Sequence, residues 1–406
     1  MSLKRDLDRT LRRIRGAGFT IQYWDGERRS YGDGAPEFML RLPDAATVRW
    51  MLSDLIVRLP ETYVSGQLGV DGDLQHLLRL CYRVDDQVFD VSPWRKAALA
   101  LASRTRRNSF SRARANVSHH YDLGNDFFAK WLDEDMNYSC AYFEHASEDL
   151  ETAQHQKLRH VCGKLQLRPA QRLLDIGCGW GALAMHAAST YDVRVVGITL
   201  SEAQRALAQS RVEARGLRHR VDVRLQDYRE VGTETFDRIV SIGMIEHVGE
   251  SCLGTYMAQV ARCLRPGGIA VLHTMGRMRK APVTPWITKH IFPGMYLPTV
   301  AELSTEMANA GLHMSDVENL RPHYALTLDA WIDRFEKSSD SITRMFDERF
   351  VRMWRMYLHT ASAAFKLGEL NVWQITCSRG FSDEVPLTRR NLYAARHAEE
   401  RDAPGG

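Results

Sequence analysis

The sequence predicts an α/β protein: a mostly parallel, doubly wound sheet of the Rossmann-like kind, preceded by a small α+β domain. Three observations lead there. The stretch 173–184, LLDIGCGWGALA, runs from an apolar strand through three alternate glycines into a helical pattern. From Asn116 onward, apolar runs and helical patterns alternate. Before residue 92, short runs with Gly-Asp turn signals and two helical stretches form a different texture. At 406 residues the chain is long for one domain and can bury two cores.

Leu3, Leu7, Leu11 and Ile14 fall on one face of an opening helix, with Lys4, Arg5, Arg9, Arg12 and Arg13 around it. Such a helix either lies on a membrane surface or packs on its own domain. From 19 to 42, the turns Trp24-Asp25-Gly26-Glu27 and Tyr31-Gly32-Asp33-Gly34 predict β-hairpins. Helical patterns follow over 45–59 and 74–83. These first ninety-two residues carry no catalytic constellation.

The segment 92–117 holds Arg95, Lys96, Arg104, Arg106, Arg107, Arg112 and Arg114 and no acidic residue, with Trp94, Leu99, Leu101 and Phe110 interleaved. It reads as a basic linker. Its composition suits an anionic lipid surface at about 1 kcal/mol per basic residue; the same composition serves RNA or simple solvation, but no base-reading motif accompanies it. The expected division is therefore 1–92, linker 93–115, catalytic domain 116–382 and polar tail 383–406, the tail frayed.

Within the larger domain, runs at 172–176, 193–198, 221–225, 238–242 and 269–274 read as strands. Helical patterns at 182–189, 202–215 and 256–264 separate them, and Pro266-Gly267-Gly268 turns the chain into the fifth strand. A helical stretch at 301–310, a long one at 341–367 and an apolar run at 371–377 complete this domain.

Composition excludes some classes. Hydrophobic residues make up 44% and charged residues 26%, as in an ordinary soluble protein, and the formal charge of +4 is too small to argue for nucleic acid. No apolar run approaches the roughly 18 residues of a membrane span, and the charged start MSLKRDLDRTLRRIRG is not expected to be a signal peptide. Seven dispersed cysteines without a CxxC pair suggest reduced thiols and predict neither a zinc site nor disulfides.

The glycine turn implies a nucleotide-like ligand at the carboxyl ends of the strands, though a turn without ligand has the same pattern. Gly177-x-Gly179-x-x-Ala182 also satisfies a dinucleotide fingerprint. A NAD site, however, wants an acidic residue at the end of the second strand, and here stand Thr199-Leu200-Ser201, with no carboxylate until Glu202. With Asp175 two residues before the first glycine, S-adenosylmethionine (SAM) is the better match. Four more clusters fall at strand-end loops: ANVSHHYDLGNDFF followed by MNYSCAYFE; SIGMIEHVG with Glu246 and His247; VLHTMG with His273 and Thr274; and RPHYALTLDAW with Tyr324. Singly, each is compatible with packing alone.

Together HYDLGNDFF, YSCAYFE, LLDIGCGWGAL, GITLSEAQ, RIVSIGMIEHVG, CLRPGGIAVLHTMG and WRMYLHTASAAFKLGELNVWQ resemble the cyclopropane-fatty-acyl-phospholipid synthases over 116–380. The resemblance implies a seven-stranded sheet of the SAM methyltransferase kind, and a reaction in which a cis double bond attacks the SAM methyl and proton loss closes a three-membered ring. It implies a bicarbonate ion as base, held at Cys140, Glu246, His273, Tyr324 and the backbone of Met275. It implies cofactor contacts at Tyr138, Ser139, Asp175, Gly177, Cys178, Gly179, Thr199, Leu200, Gln204, Gln226, Asp227 and Tyr228, and no metal. Aromatic faces near Cys140 and Tyr324 would steady a cation. Two positions depart from the pattern: Ile245 stands where the family often has Phe, and Met275 where Ile is common.

The resemblance further implies unsaturated acyl chains of a phospholipid bilayer as partner, no nucleic acid, and a cytoplasmic enzyme peripheral to the inner face of the membrane. A homodimer stays open. The rival readings are a relative giving methylene- or methyl-branched chains, a small-molecule N-methyltransferase, and a non-catalytic lipid- or SAM-binding protein.

Overall fold

The computed structural model describes residues 3–88, 123–390 and 392–393, without the side chains of 83–88. The basic linker, the start of the HHYDLGNDFF motif and the last residues of the tail lie outside the described residues. By contact the chain forms two units. The first takes the described part of 1–105 with Ala281–Pro293 and Leu328–Leu370; the second takes the described part of the remainder.

The first unit contains a four-stranded sheet, β1 (Ala17–Gln22), β2 (Arg28–Tyr31), β3 (Asp33–Arg41) and β4 (Gly69–Gly72), in the order β2-β1-β3-β4. Only part of the expected hairpin succession forms. β2 pairs antiparallel with β1, but β3 pairs parallel with β1 on its other side. The chain passes round the start of β1 at Gly32, whose φ is +78° and where a Cβ would come within 2.2 Å of the Ala17 carbonyl oxygen. Only glycine fits that crossing. Phe19 stacks on Tyr31 and Phe38 with ring centroids 5.6 and 5.5 Å apart, which forms the core of this sheet.

Helix Leu3–Leu11 makes its contacts within the first unit. Its apolar side is half-buried, Ile14 beyond it is buried, and Arg5, Arg9, Arg12 and Arg13 face solvent. Lys4 pairs with Asp25 and Glu27, and Asp8 accepts from the Tyr31 hydroxyl at 2.9 Å and pairs with Arg29. The helix is packed on its own unit. The expected helix over 45–59 is two, Ala45–Leu52 and Leu55–Val64, because Asp54 caps the second through the Val57 N–H. The expected long helix over 341–367 is likewise broken into Ser339–Met345 and Glu348–Leu367, with Asp347 capping at the Phe350 N–H. Both belong to the first unit rather than completing the α/β sheet, and the second packs on Leu55–Val64 and Leu74–Val88.

The second unit holds the seven-stranded sheet: β5 (Arg172–Ile176), β6 (Arg194–Thr199), β7 (Val221–Leu225), β8 (Phe236–Ile242), β9 (Leu264–Gly276), β10 (Leu312–Asn319) and β11 (Asn371–Arg379). The order is β10-β11-β9-β8-β5-β6-β7, with β11 antiparallel to both neighbours and the rest parallel. Alternate residues feed two cores. Leu174, Ile176, Val196, Ile198, Ala270 and Leu272 face helices Leu253–Cys263 and Val300–Asn309. Leu173, Val195 and Val271 face helices Leu150–Leu165, Ala182–Tyr191 and Glu202–Ala214. The strand order reverses direction beside β5, so the crevice of an open α/β sheet lies at its carboxyl end.

β9 begins earlier than expected, and its pairing with β8 shifts between Phe236 and Arg238 as the chain runs through Pro266-Gly267-Gly268. β10 has no apolar run to announce it. The tail expected to fray from Asp383 is tied at its start. Glu384 accepts from the buried Arg238 and from Arg265, and Arg389 pairs with Asp316. Burying a guanidinium such as Arg238 requires a carboxylate partner. Among the described residues no helix is long and apolar enough to cross a membrane.

Candidate active site

β5 ends in Asp175-Ile176, and the chain then turns through Gly177, Gly179 and Gly181, all with positive φ, into helix Ala182–Tyr191. At Gly179, φ is +53° and a Cβ would meet no protein atom within 4 Å, so the space beside it is open to a ligand. A cavity opens there. The β5 end and turn contribute Asp175, Gly177, Cys178 and Gly179; the β6 end contributes Thr199, Leu200 and Gln204; the β7 end contributes Gln226, Asp227 and Tyr228; an upstream segment contributes Tyr138 and Ser139. All twelve residues expected at the cofactor thus line one cavity.

Local hydrogen bonds shape each wall. Thr199 Oγ1 donates to Gln204 Oε1 at 2.8 Å, and Ser201 caps helix Glu202–Ala214. Glu202 is exposed and pairs with Arg205, so no carboxylate stands at the ribose position a dinucleotide would use. Asp227 is held by Arg229, whose Nε and Nη2 donate to its two oxygens at 2.8 and 2.6 Å. Segment 136–139 is fixed from beneath. Asn137 donates to Asp133 at 2.7 Å, Gln154 Nε2 donates to the Asn137 and Ser139 carbonyls at 3.2 and 3.0 Å, and Lys157 Nζ donates to Asn137 Oδ1 at 2.9 Å. Tyr138 packs edge-on against Trp131, with centroids 5.2 Å apart, and against Phe128 at 5.5 Å.

His247, singled out in the SIGMIEHVG cluster, also lines the cavity, and several lining residues escaped sequence reasoning: Asn137, Lys157, Trp180 and Arg229. Lys157 had a signal, for it lies four residues after Ala153 and four before Val161, on the buried face of helix Leu150–Leu165. Burial draws its ammonium down to about 8 and raises Asp175 to about 7, the latter opposed by the Lys157 charge. Burial also lowers His247 to about 4, so that it is neutral near pH 7.

The five residues expected to hold the base are not part of this cavity lining. Glu246 sits just past β8, 1% exposed, and its Oε1 accepts the Met275 N–H at 2.6 Å. Its Oε2 is buried with no hydrogen-bond partner. Burial pushes its carboxyl up to about 7, opposed by the Met275 N–H, its own N–H and the Thr274 hydroxyl. The Met275 N–H, expected to face an anion, is thus engaged by Glu246. β8 stops pairing where Gly243 N–H donates to the His273 carbonyl, so that next donor falls to the carboxylate. His273 is buried, lowered by burial to about 3, and its Nδ1 lies 3.2 Å from Gln374 Nε2 on β11. Cys140 and Tyr324 meet at one residue. The Cys140 thiol donates to the Ala141 and Leu320 carbonyls at 3.2 and 3.8 Å, and the Tyr324 N–H donates to the same Leu320 carbonyl at 3.1 Å. Leu320 N–H donates to Val372, which pairs with Met275 across β11 and β9. Burial pushes the Cys140 thiol up, so it stays protonated and is no nucleophile.

The family model described as mycolic acid cyclopropane synthetase matches residues 108–375, and a domain of unknown function matches 7–92. The cyclopropane-fatty-acyl-phospholipid synthase of Escherichia coli (strain K12) is 44% identical over 72% of this chain and 76% of its own length. A "Probable fatty acid methyltransferase" of Pseudomonas putida is 35% identical over 92% of this chain and 95% of its own. The crystal structure of a mycolic acid cyclopropane synthase, CmaA1, complexed with SAH and CTAB, superposes with a TM-score of 0.63 at 35% identity. That match covers 65% of this chain and 98% of the other. The match spans the glycine turn, the cavity and the buried Glu246, and by it the chain belongs to the mycolic acid cyclopropane synthetase family.

Proposed function

We propose that this protein transfers a methylene group from SAM to the cis double bond of unsaturated acyl chains in phospholipids, leaving cyclopropane fatty acids. SAM supplies an activated methyl group on a sulfonium. The residues of the glycine turn, the β6 and β7 ends and segment 136–139 bind and orient it. An alkene is a poor nucleophile, so the chain must exclude water and hold the reactants in line. The aromatic cluster of Phe128, Trp131, Tyr138 and Trp180 serves that end, with Trp180 Nε1 anchored on Asn125 at 2.8 Å.

The ring closes only when a proton leaves the transferred carbon, so a base is required. The observation that carries this part of the reading is the unpartnered Oε2 of Glu246. A buried acceptor without a donor costs free energy, and bicarbonate, an anion with one O–H, is a donor of the right kind. Glu246, His273, Tyr324 and Cys140 would hold it and it would supply the base, while the Met275 N–H stays with Glu246. The neutral His273 is a donor and does not compete with the anion for protons.

The basic segment 92–117 favours a peripheral encounter with an anionic bilayer. The test is incubation of the protein with SAM and vesicles of monounsaturated phospholipid, with the fatty acids examined by mass and NMR. A gain of one CH2 with ring protons supports the proposal. Vinylidene protons or a saturated methyl branch would select the branched-chain reading, and unchanged lipid would contradict both.

A further inference from the structure

Lys157 is a buried ammonium, 2% exposed, in the wall of the cavity. Its hydrogen-bond partners are neutral: Asn137 Oδ1 at 2.9 Å and Ser139 Oγ at 3.2 Å. Among the described residues no carboxylate stands within ion-pair distance of it. Asp133, the acidic group acting on it most strongly, is already taken by the Asn137 N–H and side-chain amide, each at 2.7 Å, and by the Asp135 N–H. Asp175, on the same face of the sheet as helix Leu150–Leu165, is 3% exposed, lines the same cavity and accepts no hydrogen bond among the described residues. If Lys157 served only to hold Asn137 and Ser139, a neutral donor would do so without the cost of a buried charge. Its charge calls for an anion inside the cavity.

The position of Lys157 says which part of the ligand that is. Its helix packs against β8 and β9, on one side of β5, whereas the turn Gln226-Asp227-Tyr228 lies two strands away on the other side. A SAM molecule laid along the glycine turn with its adenine at the β7 end brings its amino-acid end toward Lys157 and Asp175. That end is a zwitterion, and the wall offers one cation and one carboxyl group.

We propose that Lys157 binds the α-carboxylate of SAM. This rests on the SAM reading above. A charge-assisted hydrogen bond of this kind is worth roughly 10- to 100-fold in affinity.

The test compares two ligands by calorimetry: S-adenosylhomocysteine, and the analogue that lacks its carboxylate, 5′-deoxy-5′-(3-aminopropyl)thioadenosine. Wild type is expected to prefer S-adenosylhomocysteine by that factor. Lys157→Met should bind the two alike, and Lys157→Arg should recover much of the preference. If Lys157→Met does not give a cooperative melt, Lys157→Gln keeps the donors to Asn137 and Ser139 without the charge, and the same loss of preference is expected. If a folded variant weakens both ligands equally and keeps the preference, Lys157 acts only through segment 136–139 and the proposal is overturned. Wild type that binds neither ligand contradicts the SAM reading itself, which is a different failure.

Discussion

Glu246 and Met275 meet across the ends of β8 and β9: Glu246 Oε1 accepts the Met275 N–H at 2.6 Å, and Oε2 beside it is buried without a partner. One carboxylate oxygen is thereby fixed and the other kept free to accept. Glu246→Gln preserves the shape but can turn a donor toward the position that needs an acceptor. Turnover is expected to fall by about 10²–10⁴ while SAM affinity is unchanged, the cofactor being held elsewhere. Rigorous removal of bicarbonate should slow wild type similarly, and adding it back should rescue wild type only. Indifference of wild type to bicarbonate would mean that a side chain is the base.

The same carboxyl group sets a pH dependence. Burial raises Glu246 to about 7, so the ionised acceptor accumulates only as pH rises through that value. Activity at saturating SAM should therefore climb from pH 6 to pH 8, and Glu246→Gln should lack that limb. A wild-type profile flat across this range would argue against an ionised Glu246 in turnover.

Gly179→Val is expected to abolish SAM binding. The residue would carry a β-branched side chain at φ +53° and place it in space otherwise open beside the turn. Calorimetry on the folded variant is the check, and unchanged affinity would place the cofactor elsewhere.

A stability prediction comes from Glu318. Burial raises its pKa, but the His160 hydrogen bond and the charges of His160 and Lys164 outweigh this and bring it down to about 2. Its Oε2 lies 2.7 Å from His160 Nε2 and 2.6 Å from Lys164 Nζ. A depressed folded pKa stabilises above the unfolded value near 4.5, and that contribution disappears as pH falls through about 2. Glu318→Gln should cost on the order of 2–3 kcal/mol at pH 7, and the gap from wild type should close between pH 4.5 and 2. Denaturant melts at several pH values test this, and a gap independent of pH would show that the loss is one of packing.

Replacing Arg104, Arg106 and Arg107 with Gln is expected to weaken binding to anionic vesicles at low salt, and raised salt should weaken wild type in the same way. Flotation with vesicles of mixed anionic and neutral lipid measures it. Equal binding of both proteins at low salt would remove the basic segment from lipid contact.

How far the sequence foretold this can be read residue by residue. The strands β5 to β9 were legible because apolar runs between turn residues have few other readings, and the glycine turn marked where a ligand sits; most residues of the cofactor wall came from the resemblance. β10 was not legible: LHMSDVEN lies at the sheet edge, mostly half-buried, and needs no apolar run. The wrap at Gly32 was hidden because a Gly-Asp turn signals a change of direction without saying which side of β1 the chain takes. Lys157 was missed since a lysine in a helix normally faces water, although its spacing from Ala153 and Val161 sets it on the apolar face of its helix. Glu246, His273, Cys140 and Tyr324 came from resemblance, as they stand on separate elements whose approach no spacing encodes.

The most direct measurement follows the transferred carbon itself. With SAM carrying a trideuterated methyl group and vesicles of a monounsaturated phospholipid, methylene transfer requires that one deuteron leave as the ring closes. The account predicts a cyclopropane product that retains two of the three deuterons, both on the bridging carbon. A branched chain retaining all three, or lipid without deuterium, would contradict it.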